Sequence, residues 1–186
     1  MLDPVGAGAS RLRTATALRI LDEVRPTLIR GNISEVRTLA VGTGTTKGVD
    51  ANAADAVTEE NLATAAELLR SFAARTGAIV AVTGAIDLVT DGRDCYAIRN
   101  GRAEMGQVTG TGCQLSALLA AALAAAPSDT LAAVAESVAL MGVAGEIAWA
   151  QMGECDGNAT YRTRIIDAVY RMNAEALNAR MNITKL

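Results

Sequence analysis

The hexapeptide Ala78-Ile79-Val80-Ala81-Val82-Thr83 is apolar until its last residue, and Gly77 and Gly84 bracket it. Such a run between turn residues predicts a strand covered on both faces, which demands helices packed on a central sheet. The neighbouring sequence supplies them. Ser10 is placed to cap a helix running to about Val24, with Leu12, Ala15, Leu18, Leu21 and Val24 at helical spacing. Pro26 breaks that pattern, Thr27-Leu28-Ile29 predicts a short strand ending at Arg30-Gly31, and Asn32 begins a helix over Ile33 to Leu39. Thr58 caps a third helix, with Glu59 and Glu60 in its first turn, Leu62, Ala65, Ala66, Leu69 and Phe72 as its buried stripe, and Gly77 as its stop. Beyond Gly84, Ile86 to Thr90 and Cys95 to Ile98 predict a hairpin across Asp91-Gly92, and Asn100-Gly101 marks a second tight turn. Three helices follow, Cys113 to Ala126, Asp129 or Thr130 to Met152, and Thr160 to Arg180, and Asn182 to Leu186 reads as a frayed end. The alternation predicts one α/β domain over residues 1–186, with a mostly parallel central sheet, helices on both faces and an antiparallel edge.

Composition closes off several chemistries. The 186 residues include no histidine, which removes His-based nucleophilic catalysis and most zinc sites. A net charge of −3 and 3% aromatic residues leave neither a basic surface nor a stacking platform for nucleic acid. The apolar run from Leu115 to Ala126 is too short to cross a bilayer. Cys95, Cys113 and Cys155 are odd in number and form no Cys-x-x-Cys pair, as expected for reduced thiols of a cytoplasmic protein.

Two glycine-rich segments invite comparison with phosphate loops. Gly42-Thr43-Gly44-Thr45-Thr46-Lys47 fails, because Thr46 precedes Lys47 and Gly48 follows it where a P-loop needs Gly before and Ser or Thr after. Val108-Thr109-Gly110-Thr111-Gly112-Cys113 runs directly into a helix, so its backbone N–H groups and the helix dipole favour an anion, and the same field favours a thiolate at Cys113. The plain alternative is a turn before a core helix. In open α/β sheets ligands bind beyond the carboxyl ends of the strands. Asp3, Arg30-Gly31-Asn32, Thr83-Gly84 and Gly110 to Cys113 all fall at such ends or in the loops after them, which predicts one cleft. Arg30 offers a guanidinium fork, Thr83 a hydroxyl, the glycine turn its amides and Asp3 a hard oxygen for Mg²⁺, which together are parts for phosphoryl transfer. Each has a structural alternative: a surface ion pair for Arg30, a strand-end turn for Thr83, and a turn start for Asp3. For Glu35 the choice lies between metal binding and a capping box with Asn32.

Asp3-Pro4-Val5-Gly6-Ala7-Gly8-Ala9, Ile29-Arg30-Gly31-Asn32-Ile33-Ser34-Glu35, Gly48-Val49-Asp50, Ala81-Val82-Thr83-Gly84 and Val108 to Cys113 occur in the order found in the hydroxyethylthiazole kinases. The chain resembles that family, of the ribokinase-like superfamily, over nearly its whole length. Cys113 stands where most of the superfamily has an aspartate, a mark of the thiazole kinases. The resemblance implies an ATP- and Mg²⁺-dependent phosphorylation of 4-methyl-5-(2-hydroxyethyl)thiazole in thiamine biosynthesis. It assigns Arg30 and Thr83 to ATP, Gly110 to the thiazole substrate, and Asp3 and Glu35 to Mg²⁺. Gly110, Thr111, Gly112 and Cys113 would form the anion hole, with Cys113 catalytic beside the substrate hydroxyl. A homotrimer with active sites between subunits is implied too. Family members carry about a further third of chain before Asp-Pro-Val-Gly, so the opening Met1 to Gly8 reads as the end of a strand within a longer domain whose first strands are missing. Two alternatives stay open: a non-catalytic nucleotide-binding remnant, or a related kinase of another small vitamin-precursor alcohol such as hydroxymethylpyrimidine.

Overall fold

The computed structural model describes residues 1–42 and 56–186, so Thr43 to Lys47 and the Gly48-Val49-Asp50 motif lie outside the described residues. The chain resolves into two compact units, Met1–Ala97 with Lys185–Leu186, and Ile98–Thr184.

In the first unit, α1 (Arg11–Glu23) starts at Ser10, whose side chain accepts the Arg13 amide. Of the expected apolar stripe, Leu12, Ala15, Leu18 and Val24 are exposed and Leu21 is half-buried, while Ala17, outside that stripe, is the buried residue of the helix. β1 (Leu28–Asn32) leads into α2 (Ile33–Val41), which Gly42 ends in the left-handed region. α3 (Leu62–Thr76) begins at Asn61 rather than at Thr58. The Asn61 side chain accepts the Thr58 amide and donates to the Ala56 carbonyl, so Thr58 to Asn61 forms a turn ahead of the helix. Ala66, Leu69 and Phe72 of α3 are buried as their spacing predicts, and Gly77 caps its end at φ +69°. β2 (Ile79–Thr83) is buried except at Thr83. β3 (Asp87–Thr90) and β4 (Cys95–Ile98) form the expected hairpin. Its Gly92 sits at φ +97°, so close to α3 that a Cβ there would lie 2.8 Å from the Ala74 nitrogen. One core joins Ala17, Val36, Leu39, Leu69 and Phe72 of the helices to Ile29, Val80, Val82 and Leu88 of the sheet.

The sheet corrects the expectation of a mostly parallel one. Its five strands lie in the order β1-β2-β3-β4-β5, where β5 is Ile183–Lys185. Among the described strands only β1 and β2 run parallel, from Leu28↔Ile79 to Asn32↔Thr83, while β3 returns antiparallel with Val82 opposite Leu88. The reason is connection length. α2 and α3 cross over between β1 and β2, whereas the short links from β2 to β3 and from β3 to β4 permit only antiparallel neighbours. The segment read as a frayed end is β5. The Leu186 amide donates to the Cys95 carbonyl at 2.9 Å, and Lys185 meets Asp94 at 2.7 Å. Beside β1, Leu2 makes a parallel bridge to Ile29: its amide donates to Leu28 O at 2.8 Å and its carbonyl accepts from the Arg30 amide at 2.9 Å.

The second unit is helical. A 3-10 turn (Ala103–Gln107) precedes α4 (Thr111–Ala125), α5 (Thr130–Trp149), α6 (Asn158–Arg171) and α7 (Ala174–Asn178). The single long helix expected over Thr160 to Arg180 is thus broken at Met172–Asn173, where Asn173 caps α7 by accepting the Ala176 amide. α5 is long and apolar enough to cross a membrane, yet most of it is buried in protein. Gly142 and Gly145 leave room on it for Asn100 and for Met105. Its Glu146 accepts from the Gly101 amide at 2.8 Å and from the Asn100 side chain at 3.2 Å. Tyr161 of α6 packs edge-on against Trp149 and donates its hydroxyl to the Gly145 carbonyl.

Candidate active site

β1 and β2 end side by side, and their register sets Asn32 opposite Thr83. Arg30 therefore reaches the Thr83 hydroxyl from the neighbouring strand, with Nη2 donating at 2.9 Å. Its Nη1 donates to Asp3 Oδ2 at 3.3 Å, an ion pair whose side chains are only 12% and 19% exposed. Asp3 is available there because the Leu2 bridge lays Met1 to Asp3 along β1. Two of the five guanidinium N–H groups are thus engaged. Nε is buried and has no acceptor among the described residues. A buried guanidinium donor left open is costly.

Glu35 lies in the first turn of α2 and is buried. Oε1 accepts the Gly6 amide at 2.8 Å, Oε2 accepts the Asn32 amide at 2.9 Å, and Asn32 Oδ1 accepts the Glu35 amide at 2.8 Å. The capping box weighed as the alternative for Glu35 is therefore formed, and it reaches further, to the turn at Gly6, whose φ is +76°. Burial pushes the Glu35 carboxyl above its ordinary range, opposed by the Gly6 and Asn32 amides; the Asp3 charge raises it further and Arg30 lowers it. Gly31 belongs to the same construction, since a Cβ there would stand 3.1 Å from Glu35 Oε2.

Asp87, which the sequence reading passes over, joins this group. Its Oδ1 accepts the Gly84 amide at 2.8 Å and closes the turn from β2 to β3. Burial pushes its carboxyl up to about 7, against the lowering effects of the Gly84 hydrogen bond and of Arg30. A lone Asp ahead of Leu-Val carries no motif; the Thr83-Gly84 turn four residues before it is the signal that could have found it. Among the described residues the cation Arg30 thus stands near Asp3, Glu35 and Asp87.

The first unit accordingly brings together Asp3, Arg30, Glu35 and Thr83. Gly110 to Cys113 belongs to the second unit. There Gly110 precedes α4 in the left-handed region at φ +96°, and Thr111 donates its hydroxyl towards the Val108 carbonyl at 3.3 Å. The Gln114 amide is the one that bonds back to Gly110 O. The Thr111, Gly112 and Cys113 amides precede it, outside the helix's own ladder as in any first turn. Cys113 is exposed, as is Cys155, while Cys95 is buried in β4. Both amide atoms of the Gln114 side chain are buried without a partner among the described residues, a feature that sequence reasoning gave no hint of.

As a Mg²⁺ site the first unit offers hard carboxylate oxygens. Among the described residues no three His, Cys, Asp or Glu gather as a metal cage. Mg²⁺ does not need one, since one or two carboxylates, water and substrate phosphates complete its shell. Asp3 fits that pattern, whereas Glu35 has both oxygens committed to amides and fits through water.

The model of the hydroxyethylthiazole kinase family matches residues 1–175. A hydroxyethylthiazole kinase from Clostridium acetobutylicum is 46% identical over 178 residues, covering 96% of this chain and 65% of the relative. One from Desulfovibrio desulfuricans is 40% identical over 194 residues, covering 100% and 68%. The chain therefore spans about two thirds of the length of these relatives. A solved hydroxyethylthiazole kinase protein from Pyrococcus horikoshii superposes with a TM-score of 0.81 at 31% identity, covering 100% of this chain and 64% of that one. A pyridoxal kinase from Staphylococcus aureus shares the fold, with a TM-score of 0.56 at 20% identity over 99% of this chain and 61% of its own.

Proposed function

Because the chain belongs to the hydroxyethylthiazole kinase family, we propose that it transfers the γ-phosphate of ATP to the hydroxyethyl oxygen of 4-methyl-5-(2-hydroxyethyl)thiazole. The observation that carries this reading is Arg30. Its guanidinium is anchored by Asp3 and Thr83 with only two of its terminal N–H groups engaged among the described residues. A rigid fork with unspent N–H groups suits a phosphate oxygen, and Thr83 offers a hydroxyl beside it.

In this reading Arg30 and Thr83 bind ATP, and Asp3 holds Mg²⁺, with Glu35 acting through water. The ion, when bound, neutralises charge on the phosphates. Gly110 lies against the thiazole alcohol. The amides of Gly110 to Cys113 stabilise negative charge on the transferring group, the kind of fixed dipole that costs no reorganisation during reaction. Cys113 acts at the alcohol hydroxyl, either taking its proton or orienting it. Residues 1–186 serve as one kinase domain, which the family match across both compact units supports. A cytoplasmic homotrimer completes the reading, and sedimentation velocity measures the assembly.

The test is ADP release by the purified chain with Mg-ATP, with and without the thiazole alcohol. Stimulation by the alcohol, with appearance of its phosphate ester by mass spectrometry, is the expected result. Thermal stabilisation by ATP without stimulation by any alcohol identifies a nucleotide-binding protein without transferase activity. Stimulation by hydroxymethylpyrimidine alone identifies a kinase of a different vitamin precursor.

A further inference from the structure

We propose that Asp87 is a positioning residue for the nucleotide, holding the Thr83-Gly84 turn so that the Thr83 hydroxyl stays on the Arg30 guanidinium. The inference rests on the assignment of Arg30 and Thr83 to ATP. Its grounds are geometric. Thr83 is the last residue of β2 and the only one of that strand not fully buried, so the backbone turns immediately beyond it. Gly84 and Ala85 are exposed and provide no packing to fix the turn. The bond from the Gly84 amide to Asp87 Oδ1 at 2.8 Å joins the two sides of the turn, directly after the residue that accepts from Arg30 Nη2 at 2.9 Å. If the Gly84 amide is released, the chain beyond Thr83 loses its tie across the turn, which loosens the Thr83 hydroxyl on Arg30 and leaves the longer contact to Asp3 at 3.3 Å. Asp87 thus acts through Thr83 and Arg30, with no contact to the phosphates required.

Three variants of the 186-residue chain test this, with direct titration of Mg-ATP beside steady-state kinetics. Asp87→Ala removes the acceptor and is expected to raise both the Kd and the KM for ATP about tenfold, with kcat and the KM of the alcohol within about twofold of wild type. Asp87→Asn keeps an acceptor for the Gly84 amide and should restore ATP affinity to within about threefold. A residue that only supports folding lowers the active fraction, and so kcat, without shifting the KM for ATP. Should Asp87→Ala fail to fold, Asp87→Glu moves the acceptor by one methylene while keeping the charge. Weakened ATP binding in that variant supports the role, and unchanged binding overturns it. Wild-type protein that binds ATP, with all folded variants binding equally well, overturns the inference alone. Wild-type protein that does not bind ATP removes the nucleotide assignment, and this inference falls with it.

Discussion

Glu35 and Gly6, 29 residues apart in the chain, are joined by a buried bond of 2.8 Å from the Gly6 amide to the Glu35 carboxylate. The other carboxylate oxygen holds the Asn32 amide, so one side chain fixes both the start of α2 and the turn that follows Asp3. Glu35 is therefore a structural member of the site whatever it contributes to Mg²⁺.

Replacing Glu35 with Ala leaves two amides without their acceptor. A loss of about 2–3 kcal/mol of stability is expected, measurable by urea unfolding. Glu35→Gln should recover only part, because the amide NH₂ presents a donor to one of those two N–H groups. A Glu35→Ala protein as stable as wild type would contradict the reading of this bond.

Asp87 predicts a pH dependence of stability. Its carboxyl is held at about 7 in the folded chain against an ordinary 3.8. Between those values the folded protein binds a proton that the unfolded chain has released, so this contribution to stability falls as pH rises from about 4 to about 7. Asp87→Asn abolishes that slope. Relative to wild type the variant should gain on the order of 2 kcal/mol between pH 4 and pH 8, with solvent at the partly exposed carboxylate moderating the full shift. Urea titrations at the two pH values decide it, and an equal difference at both sinks the idea.

Arg30→Lys keeps the charge and loses the fork. Lysine cannot meet Asp3 and Thr83 together and still offer Nε-like donors, so ATP affinity should fall about tenfold or more, with Arg30→Ala at least as severe. Isothermal titration with Mg-ATP checks this. Lysine at wild-type affinity would show that a point charge suffices.

Cys113→Ala is expected to lower turnover about tenfold or more while leaving ATP affinity within about twofold. The thiol is exposed, so its removal opens no core cavity that would confuse the measurement. Unchanged turnover would remove the thiol from the mechanism and leave the backbone amides of that turn as its chemistry.

Much of the local structure was legible where a residue acts within a few positions of itself. Ser10 at the start of α1, Gly77 at the end of α3 and Gly92 in the hairpin each do what their type and spacing predict. Thr83 was legible as a strand-end residue, whereas Arg30, read as the end of a strand over Thr27 to Ile29, lies in the middle of β1, and only the structure shows that the two touch. The direction of β3 beside β2 was missed: the apolar run through Val80 and Val82 reports burial on both faces and is silent about which way its neighbours run. β5 escaped because Ile183-Thr184-Lys185 is short and mostly exposed, and pairs through its backbone. Asn173 did signal its helix start, with Glu175 two residues on, but the apolar repeat running through Ile165, Val169 and Leu177 masked it. Asp87 escaped for a different reason, since its environment is made by tertiary burial.

The Leu2 bridge has a consequence for how the site could be watched. Arg30 grips the Met1 to Asp3 segment twice, its main-chain amide on the Leu2 carbonyl and its guanidinium on Asp3. Main-chain and side-chain bonds from one residue thus hold the Met1 to Asp3 segment on β1. The exchange rate of one amide hydrogen, that of Arg30, therefore reports whether the segment that carries Asp3 is docked on β1.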